Sequence, residues 1–269
     1  MNSSDDFAAF ARSVAGVVDR VASSELSAAL DEIGWLTLAR DPDLVACAGF
    51  AAVELGRRLA ALHDIDRLLG GSPMAGDLVR SLGSERMVLT FERDHVVRRA
   101  ALRCEELRSS DGLVVHRVLE LGDAVPVSAM AWRTATRAWI AASVGYLAGL
   151  GQGALDLTVD YVRQRRAFGS TLAALAPVQQ LLAGAATAVR GVVLLAHSCP
   201  GGDALAHAGP TVADSCAACH QVTGAIGFTL EHPLHRFTQR ARAAATWNDA
   251  LLEWMLTPPT REQGTESPL

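Results

Sequence analysis

Two short segments of the sequence carry residue types that suit an anionic ligand. The first places Arg165 shortly before Phe168-Gly169, and the second begins at Gln221 and includes Gly224. A guanidinium is a planar, permanently charged donor that matches a diphosphate, and glycine lets a backbone approach a phosphate closely. The same residues also fit a solvated Arg cluster at a helix C-terminus and a helix-breaking turn, so the residue types alone leave both interpretations open.

In their order and separation, the two segments resemble the paired FAD-contacting motifs in the C-terminal helical domain of acyl-CoA dehydrogenases. The resemblance implies FAD as cofactor. The residues to which it assigns cofactor contacts are Arg165, Phe168, Gln221, Gly224 and Ala225. The sequence departs from the family pattern where Ala225 replaces a second glycine and where Ala176 stands in place of a common Gln. No metal site is predicted.

The catalytic base of the family has no counterpart in this sequence. Acyl-CoA dehydrogenases remove the α-proton of a thioester with a Glu while the β-hydride goes to the flavin. The resemblance places the usual Glu at Asn248, and the alternative helical positions hold Trp139 or Tyr146. Glu231 is the only carboxylate within a matched motif, and its equivalent is not the base in most of the family. We therefore expect no turnover by this chain alone.

The resemblance offers one explanation for the missing base and the changed motif residues: in the family, two subunits together form each FAD site. In the family, one subunit's β-domain and helices hold the flavin ring, and a neighbouring subunit supplies the Arg and the Gln-Gly segment. This chain keeps the second set, and so it resembles the short subunit of heteromeric acyl-CoA dehydrogenases from sterol-degrading bacteria. That likeness implies an α2β2 heterotetramer with a longer subunit, a bulky acyl-CoA substrate, and an electron-transfer flavoprotein or similar acceptor.

Two alternative functions stay open at this point. One is a non-catalytic structural subunit that stabilises a partner dehydrogenase without contacting flavin, which the substitutions Ala176 and Ala225 favour. The other is a stand-alone homo-oligomeric enzyme with altered, flavin-independent chemistry on the same scaffold.

The cysteines contain a second pattern that could do chemistry. Cys216-Ala-Ala-Cys219-His220 matches the haem-attachment pattern of c-type cytochromes. Haem is normally attached outside the cytoplasm, whereas this pattern lies in an Ala-rich helical run of a chain without an export signal. A structural role for these residues is therefore the favoured interpretation.

Composition and charge restrict the partners. The formal net charge is -5 with dispersed basic residues, which argues against nucleic acid as a partner. No run of about 18 apolar residues is evident, so we expect no membrane span. Because the N-terminus is acidic where a secretory signal would be basic, we expect a cytoplasmic protein.

The elements that must position these residues are mainly helical. Apolar residues recur at helical spacing over 1–75, a shortened N-terminal helical domain, and over 129–256, where four long helices predict an antiparallel bundle. Between them, 76–128 contains short β-branched runs that predict a reduced antiparallel β-domain. The tail 257–269 is expected to be mobile. The predicted fold class is mainly α and acyl-CoA dehydrogenase-like.

Local signals predict some of the helix ends. The sequence Ser23-Ser24-Glu25 predicts a break and a cap between two N-terminal helices. Asp41-Pro42-Asp43 predicts the start of a further helix that continues through Leu62. In the bundle, Pro177 predicts the start of the second helix, and the third is expected to end near Gly224.

Overall fold

The structure is a computed structural model that describes residues 3–83, 85–92, 95–108, 113–198 and 200–256. Three features of the sequence lie outside the described residues: the polar turn 109–112, Cys199 and the tail 257–269.

The first part of the described chain is helical. Its α-helices are α1 Ser3–Arg20, α2 Leu26–Glu32, α3 Val45–Arg57 and α4 His63–Asp66, with 3-10 turns at Trp35–Ala39, Pro42–Leu44 and Arg67–Leu69. The break before α2 is present, but the predicted cap is wrong because Glu25 makes no side-chain cap hydrogen bond. The helix predicted to run through Leu62 is interrupted at Leu59, whose φ of 57° cannot continue a right-handed helix.

A small sheet follows. Its strands are β1 Ser72–Pro73, β2 Leu78–Val79, β3 Met87–Glu92, β4 His95–Arg108, β5 Val114–Leu121 and β6 Val125–Pro126. The strand order is β1-β3-β4-β5-β2, and β6 pairs with β4. All pairs are antiparallel except β1 with β3. Register shifts between Ala101 and Cys104 interrupt the ladder of β4 with β5, and an irregularity of this kind bends a strand locally.

The remaining described chain forms the predicted bundle. Its helices are α5 Ala129–Gln164, α6 Ala176–Ala196, α7 Gly202–Thr223 and α8 Leu234–Leu256, and the short strands β7 Arg166–Ala167 and β8 Ser170–Thr171 lie between α5 and α6. The Ser128 Oγ caps α5 by accepting from the Ala131 N–H at 3.2 Å. Proline at the first turn of α6 and Gly224 after α7 confirm the predicted helix ends.

The long helix α5 joins the bundle to the N-terminal helices through close backbone packing. A Cβ added at Gly149 would lie 2.1 Å from the Val53 carbonyl oxygen of α3. The two helices can therefore cross at this distance only because residue 149 lacks a side chain. One buried apolar core extends from α1 through α5 to α8.

One finding differs from the expectation about membranes. By length and composition α6 is long and apolar enough to cross a bilayer, although only 22% of its most apolar 18-residue stretch is buried in the structure. Core helices of other proteins can be equally long and apolar, so a single such helix is weak support for a membrane span. What the structure does show is an apolar helix that is only partly covered by α5 and α7.

Candidate functional site

The first predicted segment forms a tight hairpin at the end of α5. Strands β7 and β8 pair antiparallel, with Ala167 opposite Ser170, so Phe168 and Gly169 form a two-residue turn. Their φ angles are 54° and 82°, as a type I′ hairpin turn requires. A bulky residue with positive φ is uncommon. The turn holds the ring of Phe168 away from the chain, where it is 91% exposed.

Arg165 lies between α5 and this hairpin. Its N–H donates to the Tyr161 carbonyl at 2.9 Å, and its carbonyl accepts from the Leu172 N–H at 2.8 Å. The backbone is therefore fixed on both sides while the side chain is exposed. Within the described residues the guanidinium makes no hydrogen bond or ion pair, so it is available for an anionic ligand.

The second predicted segment forms the turn that ends α7. Gly224 caps the helix with φ 67° and ψ -149°, a conformation that is essentially restricted to glycine. A 3-10 turn follows over Gly224–Phe228. A Cβ added at Gly224 would meet no heavy atom within 4 Å, and Gln221 and Ala225 are exposed. The backbone at this turn therefore faces open space.

A buried histidine packs against this turn and connects it to α8. His220 Nε2 is 2.7 Å from the Thr238 Oγ1 of α8, and its ring stacks on Phe228 at a centroid distance of 4.4 Å. Burial lowers the pKa of His220, and Arg242 lowers it further. A Cβ at Gly227 would lie 2.2 Å from Thr223 Oγ1, so glycine is required there. The resemblance does not point to this role of His220; the sequence draws attention to the residue only through the haem-like pattern and its position next to Gln221.

Both segments lie at the same end of the bundle. Helices α5 and α7 end there, and α6 and α8 begin there. Tyr161 in the last turns of α5 contacts His232 edge to face at 5.8 Å, which connects α5 to the loop before α8. The surface at this end also exposes apolar side chains of Ile226, Phe228 and Leu230, at 39%, 70% and 87%.

Asn248, at the expected position of the base, is part of a buried polar cluster. Its Oδ1 accepts from Arg80 Nη1 at 2.6 Å, and Arg80 donates to both carboxylate oxygens of Asp66 at 2.6 and 2.9 Å. Trp139 Nε1 donates to the same carboxylate at 2.9 Å. Arg80 and Asp66 are fully buried, and Asn248 is 2% exposed. We name Asp66, Arg80, Trp139 and Asn248 the buried cluster.

The other candidate positions also lack a free base. The Tyr146 hydroxyl donates to the Ala60 carbonyl at 2.7 Å and accepts from Arg240 Nη1 at 3.1 Å. Burial raises the pKa of this phenol, so it stays protonated. Glu231 is exposed in the loop between the 3-10 turn and α8. The structure thus separates Glu231 from the buried cluster, which contains Trp139 and Asn248.

The cysteines of the haem-like pattern are core residues. Cys216 and Cys219 are both fully buried. Burial raises the pKa of the Cys216 thiol to about 12, which favours the unreactive protonated form. His220 uses Nε2 for Thr238 and one ring face for Phe228. These contacts support the structural interpretation of the pattern.

Sequence comparison identifies one stretch of the chain. Residues 129–200 match the family model described as acyl-CoA dehydrogenase, C-terminal domain. This range contains α5, the hairpin with Arg165 beside it, and α6. No curated protein matches the sequence significantly.

Solved structures share the fold over nearly the whole chain. The ChsE4-ChsE5 complex from Mycobacterium tuberculosis matches at 16% identity and a TM-score of 0.63, covering 97% of this chain and 99% of that chain. A variant of the Tcur3481-Tcur3483 steroid ACAD matches at 15% identity and a TM-score of 0.63, covering 94% and 98%. A glutaryl-CoA dehydrogenase from Mycobacterium smegmatis in complex with FADH2 matches at 11% identity and a TM-score of 0.61, covering 95% and 96%.

At these identities the matches concern the fold. The chain has a mainly helical, acyl-CoA dehydrogenase-like fold with a small strand domain, and the predicted fold class is confirmed.

Proposed function

We propose that this chain is a subunit of an FAD-dependent acyl-CoA dehydrogenase and contributes part of an FAD site that it shares with a longer partner subunit. The observation that carries the proposal is that Arg165, Phe168 and the Gly224 turn lie exposed at one end of the bundle. The match of residues 129–200 to the acyl-CoA dehydrogenase C-terminal domain supports it.

The residues at this end fit an FAD diphosphate. Arg165 offers a guanidinium without a protein partner among the described residues, and a diphosphate is a preferred ligand of that group. The open space beside Gly224 gives a phosphate or ribose access to the backbone. Gln221 and Ala225 are exposed on the same turn. When bound, FAD supplies the acceptor for the hydride of the substrate.

The proton-abstracting base is assigned to the partner. In this chain, the position of the family base is Asn248, an amide that accepts a hydrogen bond from Arg80. A neutral amide cannot take up a proton at physiological pH. The role of this chain is then to bind and orient the cofactor, while the longer subunit brings the base and covers the flavin ring.

Exposed apolar surface supports a heteromeric assembly, for which we propose α2β2. Phe168, Phe228 and Leu230 are each at least 70% exposed, and α6 is an apolar helix of which little is buried. Patches of this kind on a soluble protein indicate contacts with other chains. The ChsE4-ChsE5 structure is itself a complex.

The substrate and the context are further parts of the proposal. The substrate we propose is a bulky CoA thioester with a steroid-derived acyl group, and the similarity in fold to the Tcur3481-Tcur3483 steroid ACAD supports it. The electron acceptor would be an electron-transfer flavoprotein or a similar protein, and the complex would act in the cytoplasm.

The test is co-expression with a longer acyl-CoA dehydrogenase encoded nearby, followed by measurement of bound flavin and of acyl-CoA turnover. We expect a yellow complex. Arg165→Ala should weaken FAD binding about ten- to a hundredfold, as expected for the loss of a charged hydrogen bond. Arg133→Ala, an exposed Arg near the other end of α5, is the matched control and should keep its flavin. Full flavin content in Arg165→Ala would contradict the assignment.

A second candidate function is a structural subunit that stabilises its partner without contacting flavin. The observation that favours it is that Ala176 and Ala225 are exposed where the family has a Gln and a Gly. This candidate predicts that Arg165→Ala and Phe168→Ala both leave the flavin content of the complex unchanged. Phe168→Ala should weaken only the association of this chain with its partner subunit. Size-exclusion chromatography with absorbance detection of flavin separates the two functions.

A further inference from the structure

A second cleft lies far from the bundle end, beside the start of α5. It has a volume of about 500 Å³ and lies between α2, the 3-10 turn Arg67–Leu69, the sheet and the first turns of α5. Along α5 its residue Ala135 is about 45 Å from Arg165, at 1.5 Å per residue. The volume lies within the range of small-molecule sites.

Guanidinium groups surround this cleft. Arg40, Arg67, Arg86 and Arg98 line it, against the carboxylates of Asp31 and Glu85. Arg67 forms an ion pair with Asp31. Arg40 and Arg98 are exposed and form no ion pair within the described residues. A concave surface with excess positive charge concentrates anions.

The backbone holds Arg86 in place, and the side chain of Arg98 lies near the turn at Gly70. Arg86 has a φ of 50°, and its Nε donates to the Ala101 carbonyl at 3.1 Å. Positive φ at a non-glycine residue is a strained conformation that is often found at functional sites. Arg98 extends from β4 toward the turn at Gly70, where an added Cβ would lie 3.8 Å from its Nη1.

Ser27, a polar residue that lines the cleft, is not activated as a nucleophile. Ser27 Oγ donates to Asp64 Oδ1 at 2.7 Å and is 2.9 Å from His63 Nε2. Because the hydroxyl gives its single hydrogen to Asp64, His63 Nε2 must be the donor to Ser27. The histidine therefore cannot accept the serine proton, and the arrangement does not activate Ser27.

Apolar residues also line the cleft, and they are buried or half-buried, whereas Arg40 and Arg98 are exposed. They are Leu36, Leu69, Met87, Val127 and Ala135. Exposed charge beside less exposed apolar surface matches a ligand that has both properties. We propose that this cleft binds a small amphipathic anion, with an apolar body against these apolar residues and a carboxylate or phosphate head held by Arg40 and Arg98. The inference does not depend on the proposed flavin site.

The experiment is isothermal titration calorimetry on the full-length chain, or on its complex if a partner co-purifies. The probes are octanoate, octyl phosphate, 1-octanol and inorganic phosphate. We expect octanoate or octyl phosphate to bind below about 1 mM, and octanol and inorganic phosphate to bind at least about tenfold more weakly, since each lacks half of the ligand. A preference between the first two probes identifies the head group.

Variants then locate the site. Arg98→Gln and Arg40→Gln should each weaken binding of the anionic probe about tenfold. Arg103→Gln, on the same strand as Arg98 but outside the cleft and 68% exposed, should bind as the wild type does. Ala131→Trp should block binding without a change in charge. Three results would overturn the proposal: wild-type affinity for the anionic probe in both the Arg40 and the Arg98 variant, binding of octanol as tight as that of octanoate, or no binding of either anionic amphiphile.

Discussion

Replacing Arg80 by Met tests the role of the buried cluster. The substitution leaves the apolar part of the side chain but removes the charge that faces Asp66 at 2.6 Å. Among the described residues, the carboxylate then keeps the Trp139 N–H at 2.9 Å and a distant contact with Ser81 at 3.5 Å. Removal of one partner of a buried ion pair costs about 3–5 kcal/mol. That is a large part of the 5–15 kcal/mol that stabilises a typical domain.

A double-mutant cycle isolates the interaction. Asp66→Leu alone should cost about as much as Arg80→Met, because it leaves a buried guanidinium without its counter-charge. The double variant buries no uncompensated charge. It leaves the Trp139 Nε1–H and the Asn248 Oδ1 without their hydrogen-bond partners in the buried cluster, at about 1–3 kcal/mol each. Its loss should therefore be smaller than the sum of the single losses by about 3 kcal/mol.

Urea unfolding followed by Trp fluorescence gives these free energies. Arg117→Met is the matched control, because Arg117 forms a 3.1 Å ion pair with Asp77 that is exposed to solvent. That variant should lose less than about 1 kcal/mol. If Arg80→Met costs no more than the control, or if the two single losses add within about 0.5 kcal/mol, the buried cluster does not stabilise the fold as argued.

Three further predictions concern stability and chemistry. Burial and Arg190 lower the pKa of His197 to about 4, so the stability that the neutral histidine contributes is complete above about pH 6.5 and is lost as the pH falls toward 4. His197→Phe should therefore flatten the fall of the urea midpoint between pH 6.5 and 4. An unchanged slope in that variant would refute the prediction. Gly149→Ala would place its Cβ 2.1 Å from a backbone oxygen of α3 and should cost about 1–3 kcal/mol in the same assay. Asn248→Glu should give no acyl-CoA turnover by the isolated chain, since the new carboxylate would face the buried Arg80; turnover would show that a base alone was missing.

The sequence predicts the helices well because their signals are local. Apolar spacing defines the bundle helices, and the proline at 177 and the glycine at 224 mark their ends. The interruption at Leu59 has no such signal, since a leucine with φ 57° is set by its tertiary environment and not by its own preference. The same limit explains why the exposure of Phe168 could not be predicted from the Phe-Gly pair.

The buried cluster could not be predicted either. Arg80 and Asn248 are separated by 168 positions in the sequence, and no periodic pattern connects them. Charged residues are also expected at the surface, so neither Arg80 nor Asp66 carries a local sign of burial. The resemblance did indicate that position 248 lacks a carboxylate, but not what the amide does instead.

The contacts of Asn248 bear on why the chain would need a partner. An amide that merely replaced a catalytic carboxylate would leave a polar group facing a cleft, where water could satisfy it. Instead Asn248 bonds to Arg80, and Arg80 is neutralised by Asp66. Each of these groups is satisfied by another, so a single substitution that reopened a reactive cleft would leave a buried charge or polar group unpaired. The polar groups around Asn248 therefore contribute to stability, which agrees with the proposal that the base comes from a partner subunit.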